Sequence, residues 1–199
     1  MSKVINRLYN TYAEGVAVVR ELEAAGINHN DISIVANAVD KKHDPTHKDA
    51  AAKGAGGGAL AGGAAGAGAG LLAGLGMLAI PGVGPVVAAG WLVATAAGAA
   101  AGAGVGAAAG GVIGKLTEHD VSKKDAEVYC EAIRRGAALV SVKVSDDNYS
   151  EVETIMNRTT YIDPVARRQA YEANAWTGYN PNAPVYTPAQ VEAERRLYQ

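Results

Sequence analysis

Three features of the sequence predict an α+β protein: helical and strand-like hydrophobic periods near the two ends, 61 uncharged residues between them (54–114), and a charged, aromatic, proline-containing tail. The expected architecture is a small ferredoxin-like α/β sandwich, interrupted by a long Gly/Ala-rich helical hairpin and followed by an extended C-terminal arm. Its boundaries read as 1–39 and 116–163 for the split α/β domain, 40–53 for a polar linker, 54–114 for the hairpin and 164–199 for the arm.

Each element has a local reason. Val4, Ile5 and Leu8 suggest a first strand. Val16, Val19, Leu22 and Ala25 then fall at helical spacing from about Thr11, and Gly26 suits a C-cap. Asp31-Ile-Ser-Ile-Val-Ala alternates polar and apolar as a strand does. After the insertion, Ser122 with Asp125 three residues on marks a helix start, and Gly136 stops that helix after Arg135. Leu139, Val140, Val142 and Val144 form the strongest strand signal in the chain. Asn148 suits the cap of a third helix with Val152, Ile155 and Met156 turned inward, and Tyr161-Ile-Asp suggests a last edge strand.

The 61-residue insertion holds 21 of the 25 glycines and 21 alanines. Pro81, Gly82, Gly84 and Pro85 form a hinge that divides it into limbs 54–80 and 86–114. Gly54, Gly58, Gly62, Gly66, Gly70 and Gly74 recur every four residues, and so do Gly98, Gly102, Gly106, Gly110 and Gly114, with Gly90 in the same register. On a helix each set makes a smooth groove that lets a second backbone approach closely, the small-xxx-small device. Glycine costs ~1 kcal/mol against alanine inside a helix, so lone limbs in water are not expected to hold. Close packing or a dry environment must offset that loss.

Side-chain size is polarised along the insertion. Leu71, Leu72, Leu75, Met77, Leu78, Ile80, Val83, Val86, Val87, Trp91, Leu92 and Val93 crowd its middle. As a helical tip these residues would form a large apolar patch, which a bilayer or other copies of the chain would have to cover. In the tail, Tyr171, Trp176, Tyr179, Tyr186 and Tyr198 are candidate anchors of an arm that latches onto a neighbouring subunit.

Composition excludes several functions. With 18 Lys+Arg against 20 Asp+Glu the net charge is −2, so no basic excess marks a nucleic-acid binder. A single cysteine allows no disulfide within the chain. GxGxxG-like strings are by-products of the Gly/Ala repeat and follow no strand. Gly110-Gly-Val-Ile-Gly-Lys115 fails as a phosphate loop, because Ala109 stands at the first glycine and Leu116 at the hydroxyl position. His43, Asp44 and His47 straddle Pro45 in a solvated linker, and Cys130 beside Glu131 reads as a core residue. The sequence thus names no catalytic residue, metal, cofactor or small-molecule substrate.

One run of motifs is familiar in its order. Asp31-Ile-Ser-Ile-Val is followed by Gly-Ala repeats and by Leu71-Leu-Ala-Gly-Leu-Gly-Met-Leu-Ala-Ile-Pro-Gly-Val-Gly-Pro-Val. Ala126-Glu-Val-Tyr-Cys-Glu-Ala-Ile-Arg-Arg-Gly-Ala-Ala-Leu-Val-Ser-Val comes next. Over roughly residues 3 to 160 the chain resembles the bacterial general stress protein family of the YflT type, also called heat-induced stress protein domains. The Ile-Pro-Gly-Val-Gly-Pro hinge and the Arg-Arg-Gly are the most specific pieces. The resemblance implies a stress-associated bacterial protein with a ferredoxin-like domain and a glycine-zipper hairpin, and neither catalytic residues nor a cofactor.

The expected function is therefore non-enzymatic self-assembly. The chain itself is the main partner and membrane lipid the second. The N-terminus reads as no signal peptide, so a cytoplasmic domain held at the inner membrane by its hairpins is expected. Two alternatives stay open: a soluble homo-oligomeric scaffold with the hairpins buried against one another, and a small-ligand-binding regulatory domain.

Overall fold

The computed structural model describes residues 3–38, 76–80, 82–92 and 107–198. The chain runs β1 (Lys3–Tyr9), α1 (Tyr12–Ala24), β2 (Ile32–Asn37), β3 (Gly76–Ile80), β4 (Gly84–Gly90), α2 (Ala107–Glu118), α3 (Lys123–Arg134), β5 (Ala138–Val144), α4 (Tyr149–Arg158), α5 (Pro164–Ala173) and α6 (Pro188–Arg196). Five strands form one sheet in the order β1-β5-β2-β4-β3, every neighbouring pair antiparallel. Since β1 and β2 both pair with β5, they run parallel to each other with β5 between them. This split β-α-β unit is also part of the ferredoxin-like plan. The predicted last edge strand is reduced to one bridge, Leu8 to Ile162.

Local chemistry explains the helix starts. Thr11 and Glu14 close a reciprocal capping box at α1, and the Ser122 side chain accepts from the Asp125 backbone at α3. Asn148 begins α4 without a side-chain cap bond. Asp163 caps α5 ahead of Pro164, and Thr187 with Gln190 boxes α6 ahead of Pro188.

Helices cover both faces of the sheet. On one face Val16, Val19 and Leu22 of α1, with Val152 and Met156 of α4, pack on Ile34, Val87, Val140 and Val142. On the other, Val112 and Leu116 of α2, with Cys130 and Ile133 of α3, pack on Val35, Val86, Ala88 and Leu139. All six residues of β2 are buried, as expected of a strand covered on both sides.

The largest departure from the sequence reading lies inside the insertion. Residues 76–80 and 86–90, expected in two helical limbs, together with Gly84 and Pro85 of the expected hinge, are the β3–β4 hairpin, and they extend the sheet by pairing β4 with β2. The helical hinge is a tight β-turn, with Gly82 at φ +69 and Gly84 at φ +101. Short apolar runs bounded by Gly and Pro fit a buried strand and a buried helix equally well by periodicity. Here β-branched Ile80, Val83, Val86 and Val87, and an open edge on β2, decide for strand.

That outcome relocates the apolar tip. Ile80, Val83, Val86, Val87, Trp91 and Leu92 are buried in the two core clusters of this domain. They offer no patch to a bilayer. Val86 and Val87, both at 0 % exposure and on opposite faces, each contribute about 1.5–3 kcal/mol of burial. Met77 and Leu78 lie in β3, and Pro85 is an exposed residue of β4. Leu71, Leu72, Leu75, Pro81 and Val93 fall outside the described residues. Among the described residues, no helix is long and apolar enough to cross a membrane.

The tail is not an extended arm either. It forms α5 and α6, joined by residues 174–187, and folds back onto the domain of its own chain. The capping signals at Asp163-Pro and Thr187-Pro are the physical reason.

Candidate functional site

Two places gather the residues that the sequence singles out. The first is the helical remnant of the second limb. Gly110 and Gly114 lie four apart in α2, whereas Gly90 leaves the helical register altogether. Gly90 ends β4 at φ +92, and a Cβ there would overlap the Ile32 carbonyl oxygen. Its glycine answers a close strand crossing. Gly114 differs, since no described atom lies within 4 Å of where its Cβ would stand. Val112 and Leu116 hold α2 on the core, so the domain places no demand for glycine at 114. Gly54, Gly58, Gly62, Gly66, Gly70, Gly74, Gly98, Gly102 and Gly106 fall outside the described residues.

Where those segments attach is defined. Gly76 pairs with Ala88, two residues before the end of β4. The stretch 54–75 therefore enters the domain, and the stretch 93–106 leaves it, at the same end of the β3–β4 hairpin.

The second place is the end of α3, where Arg134, Arg135 and Gly136 meet the tail. The Glu131 carboxylate, 4 % exposed, accepts from Arg134 Nε at 2.9 Å and Nη2 at 2.5 Å, and from Arg135 Nε at 2.6 Å. Two guanidinium groups on one carboxylate leave an excess positive charge. Glu194 of α6 balances it, 3.2 Å from Arg135 Nη1. Burial works against the Arg135 charge, but the hydrogen bond and attraction of Glu131, with Glu194 behind, outweigh it and hold the guanidinium above its usual range. Losing one member of such a buried set costs about 3–5 kcal/mol.

Aromatic rings complete this dock. Arg135 lies 4.0 Å from the Tyr171 ring centroid, Arg134 lies 4.4 Å from that of Tyr186, and Arg167 lies 3.5 Å from that of Tyr198. Burial pushes the Tyr171 hydroxyl well above its ordinary value. Trp176 meets Tyr171 edge-on at 5.9 Å. Arg134 Nη1 donates to the Pro184 carbonyl at 3.0 Å, and Arg195 Nη2 donates to the Gly136 carbonyl at 2.7 Å. Four of the five aromatic anchors thus pack onto this chain's own arginines or onto one another. The fifth, Tyr179, packs against the cluster that contains Cys130, where burial raises its hydroxyl to about 12.

The tail also touches the turn at the other end of the face. A Cβ on Gly82 would overlap the Asn180 carbonyl oxygen, and one on Gly84 would stand 2.7 Å from Val185 Cγ1. A Cβ on Gly136 would overlap Val191 Cγ1. The hinge motif and the Arg-Arg-Gly, far apart in sequence, are thus brought onto one surface by the tail that spans them.

Sequence reading missed Glu131, Glu194 and Arg195. Glu131 stands three and four residues before the two arginines, a visible helix pairing. The partnership with 194 and 195 is long-range and has no local signal. Among the described residues, no group of three or more His, Cys, Asp or Glu side chains stands in reach of one metal ion. Cys130 is 1 % exposed, and burial pushes its thiol up to about 12, which suits a core residue.

Comparison with known families recognises the first part of this fold, from β1 to the β3–β4 turn, with the first Gly/Ala stretch inside it. Residues 5–83 match the family model of the heat induced stress protein YflT domain. The YflT match is shorter than the resemblance over residues 3 to 160 and leaves β4, β5 and α2 through α6 beyond it. No curated protein and no solved structure matches the chain.

Proposed function

We propose that this chain is a non-enzymatic, stress-associated protein that self-assembles through its two Gly/Ala segments, with the α/β domain as their rigid base. The YflT match over residues 5–83 supports the link to stress. The observation that carries the assembly is Gly114: it continues the four-residue register on a formed helix, at a face its own domain leaves open. With 76–90 taken into the sheet, 22 uncharged residues remain at 54–75 and 22 more at 93–114. Eleven glycines keep the register across them, and both stretches meet the hairpin at one end. Copies packed groove to groove would offset the helix propensity that glycine forfeits.

Membrane lipid remains the partner in a second version, because the uncharged stretch 54–75, at 22 residues, meets the ~20 that a span requires. Six of the twelve tip side chains are already spent in the core, which shifts the balance toward hairpins that bury one another. Sedimentation of the purified chain in plain buffer, in detergent and with anionic vesicles separates the versions. Large particles in plain buffer fit mutual burial, and particles formed only with detergent or vesicles fit the bilayer. Monomers in all three would overturn the proposal.

A further inference from the structure

The tail is seated as a ligand is seated in a receptor, but its seat is shallow. After Tyr171, Val191 is the one buried side chain of the tail among the described residues. The stretch from Asn180 to Val185 crosses the surface with Val185 48 % exposed. The domain side is more committed. Gly82, Gly84 and Gly136 would each bring a Cβ into tail atoms, and Arg134 donates to the tail's Pro184 carbonyl. A receptor built into the domain, holding a segment with little burial of its own, favours repeated release and rebinding.

The connection between α5 and this segment is strained. Ala175 sits at φ +62, where helix ends ordinarily take glycine, and Gly178 follows at φ +129. α5 itself stays anchored without the rest of the tail. Arg168 pairs with Asp125 at 3.3 Å, and Ile162 bridges to Leu8 just ahead of it. Release at Ala175–Gly178 would therefore free residues 179–198 and leave the domain standing. Strained hinge loops of this kind invite exchange of an element between copies.

We propose that residues 179–198 exchange between copies, so that the tail of one chain occupies the Gly82–Gly84 and Arg134–Gly136 surface of another. The occupant is a second copy because the surface is shaped to this segment in particular: glycine notches opposite Asn180, Val185 and Val191, and Arg135 opposite Glu194. The exchanged contact repeats those seen within the chain and lets the hinge straighten. It does not pass through the glycine registers, so it stands or falls apart from them.

A cross-link tests this on the full chain. In a Cys130→Ala background, Gly84→Cys and Val185→Cys are made as separate proteins and as a double variant, and each is checked for a native circular dichroism spectrum. The double variant fixes the yield of the disulfide. The two single variants are then mixed, incubated and oxidised. Exchange predicts a Gly84→Cys–Val185→Cys heterodimer on a non-reducing gel. It persists with Gly66→Leu and Gly102→Leu added, and falls several-fold with Ala175→Gly in both chains. Closure only within single chains, with no heterodimer above the level of non-specific pairs, would overturn the inference. If Gly84→Cys does not fold, Cys130 supplies the reading. Val191→Asp should speed its modification by a thiol reagent, and excess full chain carrying Cys130→Ala should slow it again. A rate unchanged by that addition would likewise overturn exchange.

Discussion

Gly90 and Gly114 share a spacing pattern in the sequence and have opposite uses in the fold. Gly90 holds a left-handed backbone against the Ile32 carbonyl, where no other residue fits. Gly114 lies on a regular helix with no described neighbour at its Cβ position. The difference teaches that a four-residue glycine register is evidence for helix packing only where a helix forms. In the β3–β4 hairpin the same residue is required by backbone angle and strand crossing.

The comparison can be broken most forcefully at Gly90. Gly90→Val should destabilise the domain by about 3–4 kcal/mol, adding left-handed strain to overlap with β2. Chemical denaturation would show it, and a change under 1 kcal/mol would mean that the close crossing is not real. Gly136→Ala should cost about 2 kcal/mol by the same strain and by displacing Val191, with faster proteolysis confined to the tail.

A pH series sharpens the picture of the core beneath the tail. Burial raises the Cys130 thiol to about 12 from an ordinary 9.0. A thiol raised in the folded state contributes stability that is complete below pH 9 and is lost as pH rises toward 12. The denaturation free energy should therefore fall by ~1.4 kcal/mol per pH unit once above 9. Cys130→Ala should flatten the curve between pH 9 and 10, before tyrosines such as Tyr129, raised from 10.0 to about 12, begin to contribute. The smallest effect belongs to Gly114→Ala, which should gain up to ~1 kcal/mol because alanine is the better helix former and meets no described atom.

Much of the α/β frame was legible. α1 and α3 begin and end within about a residue of the positions that their caps and periodicity predict, and β5 follows from Leu139, Val140, Val142 and Val144. The hairpin was not legible as strands. Its Pro-Gly-Val-Gly-Pro break could be read as a break, but an apolar run of five to seven residues carries no period that separates strand from buried helix. The tail misled for another reason. Asp163-Pro and Thr187-Pro carry helix-start signals that the reading of the tail as an extended arm passed over, and the dock that holds the helices joins Glu131 and Arg135 to Glu194 across the whole fold. No local pattern encodes that pairing.

Self-assembly through the glycine registers is the central claim, and sedimentation velocity of Gly66→Leu with Gly102→Leu tests it most directly. Both positions lie in the Gly/Ala segments and outside the described residues, so the circular dichroism spectrum of the α/β domain should stay native. The account predicts that the large particles of the unaltered chain give way to monomers or to small exchanged species. Particles of unchanged size in the variant would contradict it.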